Sequence, residues 1–388
     1  MKVLLRTPLS RYSGYGNDGI GLAEALTRWG CDVYLQPTHL DAPLPQQVAN
    51  LLTKELKAPF DLYLNHIDPM QLACSDEVAR NVDVSVGWTM WEYSNFGNMA
   101  PKDRRTLRKR LKNFDAVVGY SDVDPGCLRP YYKGPIFVQQ GGFDPANWPF
   151  MFDRDWDCPE FRMAMIGVLN ERKDPWRAIE AFKLARAEDP EFWRWARLSL
   201  KTTAPGLHHK IEDLYRDNDP VTGEEFTSLR VFYDIWPTEV VQEFYKVQHL
   251  LLAPSRGEGK NVPALEFMST GGTVVATNWA GHTQWMSGLY AYPLDYTLEP
   301  MDEAHPTTLN ARASVKHLSE RMLYAFHHRS EVRAKGEMAA QVIPKAHSWD
   351  SVVEKLFLRL KCELPKEKAE RLWALAQMAR RDSQNEDR

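Results

Sequence analysis

The chain has 388 residues, 44% hydrophobic and 26% charged, with a formal net charge of −4. That length exceeds what one hydrophobic core organises, so two domains are expected, and the slightly acidic balance excludes a global attraction to polyanions. Cys31, Cys74, Cys127, Cys158 and Cys362 lack paired spacing, and no apolar run has the length of a secretion signal or membrane span; a cytoplasmic chain without disulfide or zinc framework is expected.

The first strand, "KVLLR", runs into "SGYGNDGIG", where Gly14-x-Gly16-x-x-Gly19 has dinucleotide-fingerprint spacing. Glycines at such a turn bring backbone N–H groups and a helix start close to a phosphate. Gly14, Tyr15 and Gly16 are therefore candidate ligand contacts, although the same spacing suits a tight turn with no ligand. "GIGLAEALTRWG" reads as the following helix. The second strand, "CDVYLQP", ends in Gln36-Pro37 with Asp32 at its start. It lacks the terminal acid that binds an NAD ribose, so a nicotinamide cofactor is not expected. "FDLYLNH" ends in His66, at the sheet edge where α/β ligands bind; the imidazole is either catalytic or hydrogen-bonded scaffold. "VSVGWTM" leads to Glu92, which orients an acceptor, acts as a base, or satisfies nearby backbone. "KDRRTLRKRLKNF" carries seven basic residues from Lys102 to Lys112 against Asp103 alone. Leu107, Leu111 and Phe114 form its apolar stripe. Its cationic face is either merely solvated or a docking face for DNA phosphates or anionic membrane. "DAVVGYS" and "PIFVQQGG" complete this half.

Pro, Asp and aromatic residues crowd "GGFDPANWPFMFDRDWDCPEF", and then the alternation restarts. "RMAMIGV", "RLSLKTT", "LRVFYDI", "HLLLAPS" and "TVVATNW" read as strands; "PWRAIEAFKLARAE", "PTEVVQEFYKVQ" and "PALEFMSTG" read as helices. Apolar strands separated by helices specify parallel sheets covered on both faces. Two doubly wound halves are expected, over residues 1–150 and 151–345, with helices over 346–388 crossing back to the first. Asp122-x-Asp124 and Asp153-x-Asp155-x-Asp157 resemble metal-binding acid pairs, but the second set falls in the linker, and no obligatory metal is expected.

The segment from Leu250 to Gly281 reads strand, loop, short helix, strand. Pro263 suits a first helical turn and Asn261 a cap. A helix start aimed at the sheet's carboxyl edge is a natural diphosphate site. Glu266, one turn into that helix, can accept hydrogen bonds from a ribose diol, and Glu258 sits where the sugar beyond the phosphates would lie.

"PSRGEGKNVPALEFMSTGGTVVAT…AGH" resembles the signature of the retaining GT-B glycosyltransferases of the large family four, with seven residues between two glutamates. "MIGVLNERKDPWRAIEAF", "WPTEVVQEFYKVQHLLLAPS", "QQGGFDPANW" and "HSWDSVVEKL" match further family elements in order along most of the chain. The opening segment is similar to members carried by tailed phages of actinobacteria. The resemblance implies an α/β chain with two Rossmann-like, doubly wound parallel-sheet domains facing a central cleft. The second would bind a UDP-, GDP- or ADP-sugar, needing no cofactor, and the first would present the acceptor. It implies that Glu266 binds the donor ribose, Glu258 contacts the sugar and Lys173 binds the diphosphate. Arg172 and Lys173 also directly precede the Asp174-Pro175 helix start, where two cations would stabilise charge on a leaving phosphate.

The chain departs from the family pattern in places. Val168 follows Gly167 where the family has arginine, and Arg172 is the substitute. The family's Glu-Gly-Phe-Gly reads Glu258-Gly259-Lys260-Asn261, adding a cation; Gly259, Lys260, Asn261 and Val262 join the donor set. Lys201, at a neighbouring strand end, completes it. His66 and Glu92 stand in for the family's acceptor-side histidine. Rival readings are a non-catalytic sugar-nucleotide binder and an epimerase. The acceptor is open among protein, modified DNA and glycan: net charge disfavours DNA and the Lys102–Lys112 helix favours it.

Overall fold

The computed structural model describes residues 1–11, 13–97, 99–203, 216–218 and 225–386. The first sheet comprises β1 (Lys2–Leu9), β2 (Asp32–Leu40), β3 (Phe60–His66), β4 (Val82–Thr89), β5 (Ala116–Gly119) and β6 (Ile136–Val138). Its order is β2-β1-β3-β4-β5-β6, and every pairing is parallel. α1 (Gly14–Arg28), α2 (Gln46–Leu51), α3 (Asp76–Arg80), α4 (Pro101–Leu111) and α5 (Asp124–Leu128) lie between its strands. The alternation then repeats with β7 (Phe161–Gly167), α6 (Pro175–Glu188), α7 (Pro190–Trp195) and β8 (Ala196–Thr202). After a hairpin of β9 (Arg216–Asn218) and β10 (Glu225–Thr227) come β11 (Leu229–Tyr233), α8 (Thr238–Lys246), β12 (Leu250–Ala253), α9 (Val262–Ser269), β13 (Thr273–Thr277) and β14 (Ala291–Leu294). The second sheet, also parallel, has the order β11-β8-β7-β12-β13-β14. A second hairpin, β15 (Tyr296–Pro300) and β16 (Leu309–Ala313), precedes α10 (Val315–His327), α11 (Arg329–His347), α12 (Trp349–Glu363) and α13 (Lys366–Glu386).

The chain divides into two compact units. One holds Met1–Asp144, Met301–Thr308 and Ala346–Arg388, the other Pro145–Pro300 and Leu309–Lys345. In the first, β1 and α1 share a core with Trp349, Val352, Leu356 and Leu372 of the last two helices. In the second, Phe161, Met163, Phe182, Leu198 and Leu252 anchor the core. Each such side chain contributes about 1.5–3 kcal/mol when fully buried. β13, "TVVAT", is buried at all five positions, as a central parallel strand must be. No helix among the described residues is long and apolar enough to cross a membrane.

Two local expectations are corrected. The glycine segment is not a loop before a helix that begins at Gly19. Ser13 caps α1, its Oγ accepting from the Gly16 amide at 3.1 Å, so the helix begins at Gly14. A Cβ on Gly16 would lie 2.4 Å from the Ser10 carbonyl oxygen, so the glycine lets α1 approach the end of β1. β2 does not stop at Pro37. It is an edge strand, where proline's missing N–H need not break a ladder, and it runs on to Leu40. Asp41 therefore follows its true end, with its carboxylate 3.0 Å from His39. β14, at the opposite edge of the second sheet, is a short "AYPL" strand that the sequence reading did not anticipate.

Candidate functional site

Counted within its unit, the second sheet has strand order 3-2-1-4-5-6, that of a dinucleotide-binding Rossmann domain. Ligands in such sheets bind at the carboxyl ends where the order reverses, here between β7 and β12. These two strands pair only through Met163–Leu250 and Ala164–Leu251 and then part. They leave a narrow crevice lined by Ile166, Lys173, Ala253, Ser255 and Asn261, among others. The buried Ser255 hydroxyl there has no hydrogen-bond partner among the described residues. The connection after β7 carries Arg172 and Lys173; the one after β12 carries Glu258, Gly259, Lys260 and Asn261.

Glu258 is 4% exposed. Its Oε1 lies 2.6 Å from Lys173 Nζ and its Oε2 2.9 Å from Arg172 Nη1. Burial alone would raise its carboxyl, but Arg172 and Lys173 outweigh burial and hold it well below the ordinary range. One carboxylate thus faces two cations, and the cluster carries net positive charge. Arg172 Nη1 also donates to the Gly257 carbonyl at 2.6 Å, stitching the β7 connection to the β12 loop. Gly281 closes that loop from beneath. Its N–H donates to the Glu258 carbonyl at 2.8 Å, and a Cβ there would sit 2.1 Å from the Gly259 oxygen.

Helices α6 and α9 both begin beside this cluster, and neither has a side-chain cap. Their N-cap residues, Asp174 (φ 49) and Asn261 (φ 66), are left-handed, and Asp174 turns to Arg177 instead, 3.6 Å away. Helix starts without side-chain caps suit anionic oxygens, and Val262 supplies the first amide of α9. The expected side-chain cap at Asn261 is therefore absent. Its amide spans two other groups: Oδ1 lies 3.5 Å from Lys173 Nζ, and Nδ2 lies 2.9 Å from His282 Nε2. His282 was not singled out from the sequence, although it sits in the "AGH" of the signature.

Glu266 lies one turn into α9, half-buried, with Oε2 accepting from the Tyr245 hydroxyl at 3.2 Å. Burial pushes its carboxyl up to about 7, against the opposing pull of Tyr245 and Lys260. Arg154 secures the two helices from behind. It is 5% exposed and donates to the Tyr245 carbonyl (2.6 Å) and the Gln248 carbonyl near the end of α8. It also donates to the Thr270 carbonyl (3.2 Å) and hydroxyl (3.1 Å) at the end of α9. Burial lowers its pKa to about 10, so it stays charged and complements two helix C-termini. Lys201 ends β8, one strand from β7, but its ammonium is engaged with the Asp234 carbonyl at 2.5 Å and the face of Trp236 at 4.8 Å.

The remaining candidates lie in the first unit, at the carboxyl edge of its sheet. His66 is fully buried. Its Nδ1 is 3.0 Å from Thr7 Oγ1 and its Nε2 2.8 Å from the Tyr120 hydroxyl, which donates to buried Asp18 at 2.9 Å. That arrangement is a buried scaffold relay; a substrate-facing His66 does not fit it. Tyr15 covers it, ring centroids 5.3 Å apart, with its hydroxyl donating to the Met90 carbonyl at 2.9 Å. Gly14 is exposed, Gly16 is buried in the first turn of α1 against Ser10, and half-buried Glu92 follows β4. Asp153 of the linker pairs with Lys246 at 2.5 Å. Among the described residues no cluster of three metal-ligating side chains occurs.

No family model and no curated protein matches the sequence. Solved structures match the fold. HepE of Anabaena, in complex with UDP and glucose, is 14% identical with a TM-score of 0.62, over 93% of this chain and 100% of that one. Sucrose-phosphate synthase of Thermosynechococcus elongatus is 14% identical with a TM-score of 0.61, over 93% and 99%. A UDP-forming α,α-trehalose-phosphate synthase of Burkholderia vietnamiensis is 12% identical with a TM-score of 0.62, over 93% and 99%. At these identities the likeness is one of fold: two parallel six-stranded sheets with helices, the GT-B architecture.

Proposed function

We propose that the chain is a retaining glycosyltransferase that moves a sugar from a nucleotide-diphosphate donor to an acceptor. The observation that carries this reading is the meeting of Arg172, Lys173 and two helix starts without side-chain caps at the β7–β12 switch point. The complexes of HepE with UDP and glucose and with UDP-glucose support it. In this reading the diphosphate lies against the α6 and α9 starts, and the two cations take up charge as the bond from anomeric carbon to phosphate oxygen breaks. That oxygen accepts the acceptor's proton on the same face of the sugar, so configuration is kept. Glu258 stays beside the cations and meets the sugar; Glu266 holds the ribose. A panel of UDP-, GDP- and ADP-sugars, assayed for nucleotide release with and without EDTA, tests the assignment. Release that persists in EDTA is expected. Binding without release points to a sensor, and an altered sugar without acceptor to an epimerase.

Glu266 gives the donor site a pH dependence. A ribose diol donates hydrogen bonds, so binding uses the carboxylate, and the folded carboxyl titrates near 7 instead of 4.5. UDP-sugar affinity is expected to rise through pH 7 and level off above about 8, falling by up to tenfold per unit below 7. The sign is opposite for the free protein: between 4.5 and 7 the folded state holds the extra proton, so this group's contribution to stability declines as pH rises. Calorimetry with UDP-glucose from pH 6 to 8 checks this, and Glu266→Gln is expected to flatten the profile. A flat wild-type profile rejects the ribose role.

The acceptor, whether protein, modified DNA or glycan, is proposed to be polyanionic or to lie beside a polyanion. Leu107 and Leu111 of α4 are buried, and the rest of the helix is exposed. Lys102, Arg105 and Lys109 follow at helical spacing and make no ion pair among the described residues. Changing all three to Gln is expected to reduce the slope of log affinity for duplex DNA against log salt by about 2.7. An unchanged slope removes duplex DNA as the partner of this helix.

A further inference from the structure

We propose that His282, acting through Asn261, is a positioning residue that fixes the Lys173 ammonium for the donor diphosphate, an inference that rests on the reading above. His282 is 1% exposed, and its ring is clamped from both sides. Nδ1 lies 2.9 Å from the Thr277 carbonyl, and a carbonyl can only accept, so Nδ1 carries the proton. Nε2 is then an acceptor, and the group 2.9 Å away must be the Asn261 NH₂. That choice settles which way the amide points: its oxygen faces Lys173 Nζ. Trp285 prevents the ring from turning, with centroids 5.1 Å apart at 61° and its own Nε1–H on the Lys260 carbonyl at 2.8 Å. Burial lowers the imidazole pKa to about 4 against the pull of Glu258, so the ring stays neutral and the acceptor is kept through physiological pH.

Asn261 is the informative residue. Its backbone is left-handed, a conformation glycine adopts without penalty, and the family signature has glycine there. Asparagine tolerates that conformation better than most side chains, and here its amide contacts the Lys173 ammonium and the His282 imidazole. Lys173 thereby has the Asn261 amide oxygen as an acceptor beside Glu258 Oε1, in a direction that the carboxylate alone does not define.

Asn261→Gly separates positioning from folding, because it relieves the backbone while deleting the side chain. We expect kcat for donor turnover to fall about 10–100-fold with KM changed much less, and the melting temperature to hold or rise. His282→Leu should match it, whereas His282→Gln, whose carbonyl can accept from Asn261, should recover most of the rate. A second readout does not depend on turnover: pulse acetylation of Lys173, read by mass spectrometry, should rise at least threefold in Asn261→Gly and His282→Leu but not in His282→Gln. Unchanged Lys173 labelling in Asn261→Gly overturns the proposal. Absence of turnover from wild type with every sugar nucleotide would instead count against the function reading, and labelling would still decide this one.

Discussion

Replacing Lys173 by alanine is expected to cut donor turnover about 10²–10³-fold, the usual cost of removing one preorganised charge from a transition-state site. Two features of the site shape this result. The ammonium is already held, by Glu258 at 2.6 Å and Asn261 at 3.5 Å, so little reorganisation is needed when charge develops. Arg172 remains as the second cation at 2.9 Å from Glu258, so the variant keeps one positive group and one paired carboxylate. The fold should therefore survive, with a stability loss of about 1.5–3 kcal/mol for the lost charged hydrogen bond. Nucleotide release measured beside circular dichroism separates the two effects. A variant with wild-type kcat would show that Lys173 does not meet the diphosphate.

The second large effect is on stability. Arg154→Ala is expected to destabilise the second unit by about 3–5 kcal/mol, because three buried backbone carbonyls lose their donor together. For a unit of this size that corresponds to a fall of about 10 °C in its melting transition. Arg154→Lys should recover only part, since one ammonium cannot reproduce the planar fork that reaches Tyr245, Gln248 and Thr270. Scanning calorimetry reads both variants. The donor site should weaken in parallel, because the arginine ties the end of α8, which supplies Tyr245, to the end of α9, which supplies Glu266. A melting curve unchanged in Arg154→Ala would show that water takes over the carbonyls.

Much of this was legible in the sequence. Apolar runs at regular intervals located the eleven strands read from it, and the cluster of Arg172, Lys173, Glu258 and Asn261 followed from a family signature together with helix-start logic. What escaped has identifiable physical causes. The Gly14–Gly19 spacing serves equally for a phosphate turn and for close helix–strand contact, and the close approach of Gly16 to Ser10 and of Gly19 to Pro8 has no signature of its own in that spacing. Pro37 reads as a strand stop unless the strand is known to lie at an edge. Arg154, Tyr245 and His282 act through backbone carbonyls or through partners far along the chain, and such contacts leave no pattern in spacing. His66 stands at the expected sheet edge, and of its two readings burial favours the scaffold, because neighbours decide burial at a strand end.

The chain order of the two units also bears on how they fold. Residues 145–300 and 309–345 form an insertion whose flanking segments meet in the first unit, where the Phe143 N–H donates to the His347 carbonyl at 3.0 Å and the Trp349 N–H to the Phe143 carbonyl at 3.2 Å. Joining these segments across an unstructured stretch of roughly 200 residues would cost about 5 kcal/mol of chain entropy. An inserted unit that has already condensed supplies much of that closure in advance. Docking of α12 and α13 onto the first core is then an almost local event, and damage confined to the insertion will be felt on both sides of the junction.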